Sequence, residues 1–229
     1  MASPYSGAGA LMIRNMIFAA AAEAAPPAGY TLFASATSTG STVTWPASLL
    51  AGDVAVMLDR ATNSGFGIPS SVTPSGFASI SDITGGPSAG DAVRQILSQK
   101  LCAGSESGAL TGMNGNNENA KVLLIFRSSS PPSGVTVNSL NAQETGGNPA
   151  SQLCTSGSGT PPLIVVAAYG ATGAISSRSF SPAKDNEITP SPNVYLAYKI
   201  YDAAPSNVSI DMADDGDFNA LQSFYLTFS

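Results

Sequence analysis

The densest acidic run of the chain is Asp211-Met-Ala-Asp214-Asp215-Gly216-Asp217-Phe218-Asn219. Asp215, Asp217 and Asn219 stand at alternate positions, like the first three ligands of an EF-hand loop. The pattern then breaks, with Ala220 in place of the turn glycine and Leu226 in place of the bidentate glutamate. Asp214, Asp215 and Asp217 remain a candidate for a looser Ca²⁺ site between strands. The plainer expectation is a solvated turn, because Asp and Gly are turn formers.

Other reactive constellations are thin. Ser181-Pro-Ala-Lys184 matches Ser-x-x-Lys, but that chemistry needs a helix to bring the amine beneath the hydroxyl. Pro182 opposes such a helix. The chain has no histidine, which excludes imidazole triads, Cys-His pairs and His-ligated metals. No P-loop occurs. These residues point away from an enzyme and call for no cofactor.

Tyr195 and Tyr201 offer a different chemistry. They alternate with Val194, Leu196, Tyr198 and Ile200 along one segment. If a ligand surface exists, the face opposite the apolar one is where a sugar ring would stack. At strand spacing, aromatics also serve simply as sheet packing.

Cys102 and Cys154 are the only cysteines, with 51 residues between them. A single pair does not make a disulfide framework. Two unlinked thiols in a reducing compartment, or one bond within or between chains, both fit. With no histidine nearby, neither reads as a catalytic nucleophile.

These residues sit in a chain of 229 with only 24 charged side chains, 9 basic and 15 acidic, and a net charge of −6. Negative charge disfavours phosphate backbones, so nucleic acid is not an expected partner. Much of the surface must be Ser, Thr, Asn, Gly and small apolar residues, which cost little to desolvate. That suits packing against neighbours.

Residues 1–29 read as an N-terminal arm. Leu11 to Ala25 is Ala-rich and ends at Pro26-Pro27, which predicts a short helix stopped by proline. Arg14 followed by an apolar stretch imitates a signal peptide, but Glu23 beside the small-residue site opposes cleavage. The apolar run is far short of the ~20 residues a membrane span requires. Leu11, Ile13, Met16, Ile17 and Phe18 need a surface to cover them, because a helix this short is marginal alone. Either their own domain or a neighbouring chain would serve.

From Tyr30 onward, 30–229 read as one all-β domain. Short strands are expected at 31–36, 42–45, 53–59, 77–83, 93–102, 121–127, 135–143, 163–169, 194–202, 208–212 and 221–228, separated by Gly, Pro, Asn and Ser. Val54–Leu58 and Leu163–Tyr169 are unbroken apolar runs, as expected of central strands covered on both faces. The segment 141–162, rich in Gly, Ser and Thr, reads as a linker.

The order repeats. In 42–127 an apolar strand is followed by a Gly/Pro bend at Ser75-Gly-Phe77, a strand carrying Lys100, a small-residue turn and a closing strand ending at Arg127. In 161–229 the same order passes Ser179-Phe-Ser-Pro182 and Lys199 and closes at Phe228. Such a pseudo-repeat suits a two-sheet sandwich of jelly-roll type.

Trp45-Pro46, Leu50-Ala-Gly-Asp53-Val-Ala-Val, Val72-Thr-Pro-Ser-Gly-Phe77, Lys100 with Ser105-Glu-Ser107, and Ile125-Phe-Arg127 together resemble a β-sandwich module. That module occurs in proteins encoded among the structural genes of tailed bacteriophages and in bacterial surface proteins. The resemblance covers about 42–228 and departs at Arg127-Ser128, where the module's corner has Gly. It implies a virion part made in the bacterial host cytoplasm, most simply a capsid decoration (cement) protein or a tail-associated protein. Its partners would be other virion proteins or copies of itself, with Leu11, Ile13, Met16, Ile17 and Phe18 at the interface. The alternative is a carbohydrate-binding module for host-surface glycans, with Tyr195 and Tyr201 as the contacts.

Overall fold

The computed structural model describes residues 29–63, 72–86, 92–111, 113, 119–145, 150–215 and 218–229. The interface residues assigned to the arm lie outside that set. The first seven strands are β1 (Tyr30–Ser38), β2 (Val43–Thr44), β3 (Ala51–Asn63), β4 (Ala78–Gly85), β5 (Ala92–Ala103), β6 (Ala109–Leu110) and β7 (Asn119–Ser128). Eight more follow: β8 (Val135–Thr145), β9 (Ala150–Cys154), β10 (Leu163–Ala171), β11 (Ile175–Ser181), β12 (Asn186–Ser191), β13 (Val194–Tyr201), β14 (Val208–Asp214) and β15 (Asn219–Phe228). All eleven segments expected as strands are strands. No described helix is long and apolar enough to cross a membrane.

The pairing is nested and antiparallel. In the first half the first strand pairs with the last, β1 with β7, the second with the second-last, β2 with β6, and the third with the third-last, β3 with β5. The second half repeats this as β8 with β15, β9 with β14, and β10 with β13. The central strands β3 and β10 then take β7 and β15 as second partners. The result is two five-stranded sheets of matching order, β1-β7-β3-β5-β4 and β8-β15-β10-β13-β12. A three-stranded sheet, β11-β14-β9, and a two-stranded one, β2-β6, complete the fold.

The layers follow from which residues are apolar. The two five-stranded sheets form a β-sandwich around one core built from both halves, with Val54, Val56, Leu58, Val122, Leu124 and Phe126 facing Ile164, Val166, Leu196, Phe224 and Leu226. On the outer face of the second sheet, Val165, Tyr169, Tyr195 and Leu221 pack under Phe180, Val208, Ile210 and Met212. On the outer face of the first, Met57, Leu123 and Ile125 pack with Val43, Trp45 and Leu110. β3 and β10 are therefore buried on both sides, which is why their sequences are apolar without alternation.

Three expectations are revised. The sandwich has two further outer sheets rather than two sheets in all, so β13 buries both of its faces. The segment 141–162 is not a plain linker, because β9 and a 3₁₀ turn at Ser156–Ser158 lie within it. The matching halves also begin earlier than the 42–127 and 161–229 boundaries, since β1 and β8 hold equivalent places at the sheet edges.

A polar clasp joins the halves at one end of the shared core. The Gln95 amide donates to Gln222 Oε1 at 2.7 Å and to the Ala168 carbonyl at 3.2 Å, while the buried Arg60 guanidinium donates to the Ala171 carbonyl. Gly170 lets them approach: a Cβ there would lie 2.8 Å from Gln95 Oε1 and 3.0 Å from Arg60 Cγ.

Candidate functional site

The sequence motifs that carry the resemblance converge around the start of β3. Arg127 at the end of β7 grips Asp53 through Nε–H to Oδ1 at 2.8 Å and Nη2–H to Oδ2 at 2.6 Å. The same guanidinium donates to the Ser48 carbonyl at 2.7 Å and covers the Phe33 ring, 3.5 Å from its centroid. Asp53 Oδ2 also accepts from the Leu50 N–H at 2.8 Å, so the carboxylate ties down the loop that feeds β3. Gly52 beside it has φ +89, and a Cβ there would lie 2.4 Å from Pro131 Cβ. The Gly-Asp pair is thus set by a left-handed backbone and a close approach.

Next to it, Phe77 donates its N–H to Pro74 O at 3.1 Å, closing a turn that stacks its ring on Trp45 with centroids 5.8 Å apart. Lys100 Nζ stands 5.5 Å from the Trp45 ring centroid and 2.9 Å from Glu106 Oε1. Burial opposes ionisation of Glu106. The N–H of Ala103 and the Lys100 ammonium outweigh it and hold the carboxyl down at about 2. Every charge in this corner is spent on a neighbour within it. The corner holds loops in place.

The remaining sequence candidates are dispersed. Asp214 is buried, and its carboxylate accepts from the Tyr169 hydroxyl and from Asn219 Nδ2 at 3.3 Å. Burial and that carboxylate push the Tyr169 phenol far above its usual range. Asp215 is exposed, and Asp217 lies outside the described residues. Among the described residues no group of three acidic, Cys or His side chains could hold a metal. Ser181 ends a strand, and Lys184 pairs with Glu187 at 3.1 Å, so the Ser-x-x-Lys match has no helix beneath it.

Tyr195 and Tyr201 do not form an exposed platform. Both are buried in the core beneath the three-stranded sheet, because the face opposite Val194 and Leu196 is itself covered. Cys102 and Cys154 are free and buried in separate outer cores, and burial pushes each thiol up to about 12.

The surface that sequence reasoning missed is the outer face of β11-β14-β9. Pairing sets Ser177 opposite Ala213, Ser179 opposite Asp211 and Ser151, and Ser181 opposite Ser209 and Leu153. Inward-pointing Phe180, Ile210 and Met212 alternate with these. The face carries five serines and one charge, and that charge, on Asp211, accepts from Ser151 Oγ at 2.7 Å. The Ser-x-Ser-x-Ser spacing of 177, 179 and 181 was the available signal, but only Phe180 marks the segment as a strand. Beside this face an open groove of about 460 Å³ runs between β8 and β9.

Comparison with known proteins found no matching family model, no similar curated protein and no similar solved structure.

Proposed function

We propose that this chain is a structural protein of a tailed-bacteriophage particle, a capsid decoration or tail-associated component that acts by protein–protein assembly. The observation that carries the reading is the serine face of β11-β14-β9. A sheet surface with one internally satisfied charge costs little to dehydrate, so it can be covered by a neighbour without burying an unpaired ion. The motif resemblance supports the same reading, since the charges of its motifs, Asp53 with Arg127 and Lys100 with Glu106, hold loops within the chain.

Each half is, on this reading, a jelly roll, the eight-stranded two-sheet architecture common in viral coat proteins. Nested pairing of first with last, second with second-last and third with third-last supports it. Both halves depart in one respect, for β4 and β12 join the edges of β5 and β13 instead of extending the smaller outer sheets, and the first half has seven described strands against eight in the second. The arm, with Leu11, Ile13, Met16, Ile17 and Phe18, would dock on a neighbour. The carbohydrate-binding alternative draws no support from Tyr195 and Tyr201, which are buried.

Sedimentation velocity across rising concentration, run with a glycan array on the same preparation, tests this. Concentration-dependent association that is weakened by Ser179→Arg and Ser209→Arg, with no glycan bound, is the expected result. A chain that remains monomeric and binds a defined glycan overturns it.

A further inference from the structure

We infer that the groove between β8 and β9 receives residues 11–18 of a second copy of this chain, laid in as an extended strand ahead of the alanine-rich 19–25 that favours the helix. The inference rests on the assembly reading above and assigns the surface on which the arm docks.

Three observations locate the groove as a receptor. First, among the described residues β8 pairs with β15 alone and β9 with β14 alone, so each presents an edge without a strand partner to the groove between them. Second, the β8 ladder breaks between Asn138 and Asn141, leaving Ser139 and Leu140 out of register, with Ser139 at φ +47. A positive φ in a residue other than glycine is uncommon, and bulges of this kind re-aim side chains near functional surfaces. Third, the bulge leaves Leu140 42% exposed, and Leu153 across the groove is 54% exposed. Both line the groove, whose remaining lining of Asn141, Ala142, Gln143, Ser151 and Gln152 carries no charge.

The chemistry of such a site is strand addition. Edge backbone groups supply hydrogen bonds and the two leucines supply apolar contacts for alternate side chains of the incoming strand. Asn141 Nδ2 to Leu153 O at 3.2 Å and Ser139 Oγ to Thr155 Oγ1 at 2.9 Å brace the two strands against each other.

The arm fits this receptor. It contributes 28 residues ahead of Gly29, and in an extended strand Leu11, Ile13 and Ile17 share one face while Met16 and Phe18 fall on the other. Arg14 is its sole charge between Leu11 and Phe18, which an uncharged groove accepts without repulsion. Fully extended, 28 residues reach on the order of 90 Å, ample for a neighbouring molecule. The arm enters the fold at β1, one edge of its sheet, whereas the groove flanks β8, which packs against β4 at the opposite edge. An exit at one edge and a receptor at the other make a head-to-tail contact, which propagates into rings or filaments.

The test is the double variant Ile13→Cys with Leu140→Cys in the full chain, oxidised mildly and run on non-reducing gels beside sedimentation of the reduced protein. Native Cys102 and Cys154 are buried and stay silent, and Trp45 emission reports that the variant is folded. A ladder of disulfide-linked multimers is expected, absent from either single variant and reduced at least several-fold by adding Leu153→Glu. Association in sedimentation without cross-linking overturns the groove while leaving assembly standing. A cross-linked monomer overturns docking between copies, and a monomer with no cross-link overturns both readings.

Discussion

Arg127 at the end of the first half's last strand holds Asp53 at the start of its central strand by two hydrogen bonds of 2.8 and 2.6 Å. Asp53 is almost fully buried and also accepts from Leu50 N–H, whereas Arg127 keeps a partly open edge over Phe33. The energetic weight of the pair lies on the carboxylate, which cannot be left unpaired in its position.

Arg127→Ala is therefore expected to destabilise the chain by about 2–4 kcal/mol, read from the urea midpoint. Arg127→Lys recovers only part of the loss, because an ammonium cannot supply the two-pronged contact. An Arg127→Ala midpoint equal to that of the native chain would show that the pair does not hold the loop.

Glu106 gives a pH dependence with a defined sign. Its folded carboxyl lies at about 2 against an ordinary value of 4.5. A depressed value favours the folded state while the group is ionised. The contribution is complete above 4.5 and is lost as pH falls toward 2. Chemical denaturation of Glu106→Gln and the native chain at several pH values should give a stability gap that narrows over that window. A gap independent of pH would contradict the assignment.

The shared core predicts that the halves unfold together. Cys102 lies in the first half and Cys154 in the second, and burial raises both thiols to about 12. In the native chain neither should react with a thiol reagent at pH 8 on the minute scale. On titration with urea both should become reactive at the midpoint reported by Trp45 emission, as one cooperative unit. Reaction of Cys154 well before the Trp45 transition would show that the second half opens alone.

Much of the fold was legible because burial writes itself into residue type. Val54–Leu58 and Leu163–Tyr169 are apolar without alternation, so their central placement could be read directly. The repeated Lys100 and Lys199 strands exposed the matching order. What escaped were the two-residue β6, the five-residue β9, and β11 and β12, in which serines, asparagine and glutamate outnumber apolar residues and hydrogen bonding to stronger neighbours supplies the order. The two faces of β13 were separable by period, but which face met water was not, because the covering strands β11 and β9 had not been recognised. For that reason the sequence leaves Tyr195 and Tyr201 open between a ligand surface and sheet packing, and their burial places them in a core. The motif corner was legible as residue types, while its closure through Asp53–Arg127 and Lys100–Glu106 is a matter of three-dimensional approach.

The most direct test of the assembly account is amide hydrogen exchange of the purified full chain, followed peptide by peptide at low and high concentration. The account predicts that residues 1–28 exchange at the unfolded-chain rate in the dilute monomer and slow on association, while β3, β7, β10 and β15 remain protected throughout. Protection of residues 11–18 in the dilute monomer, unchanged by concentration, would contradict it, for the arm would then belong to its own fold.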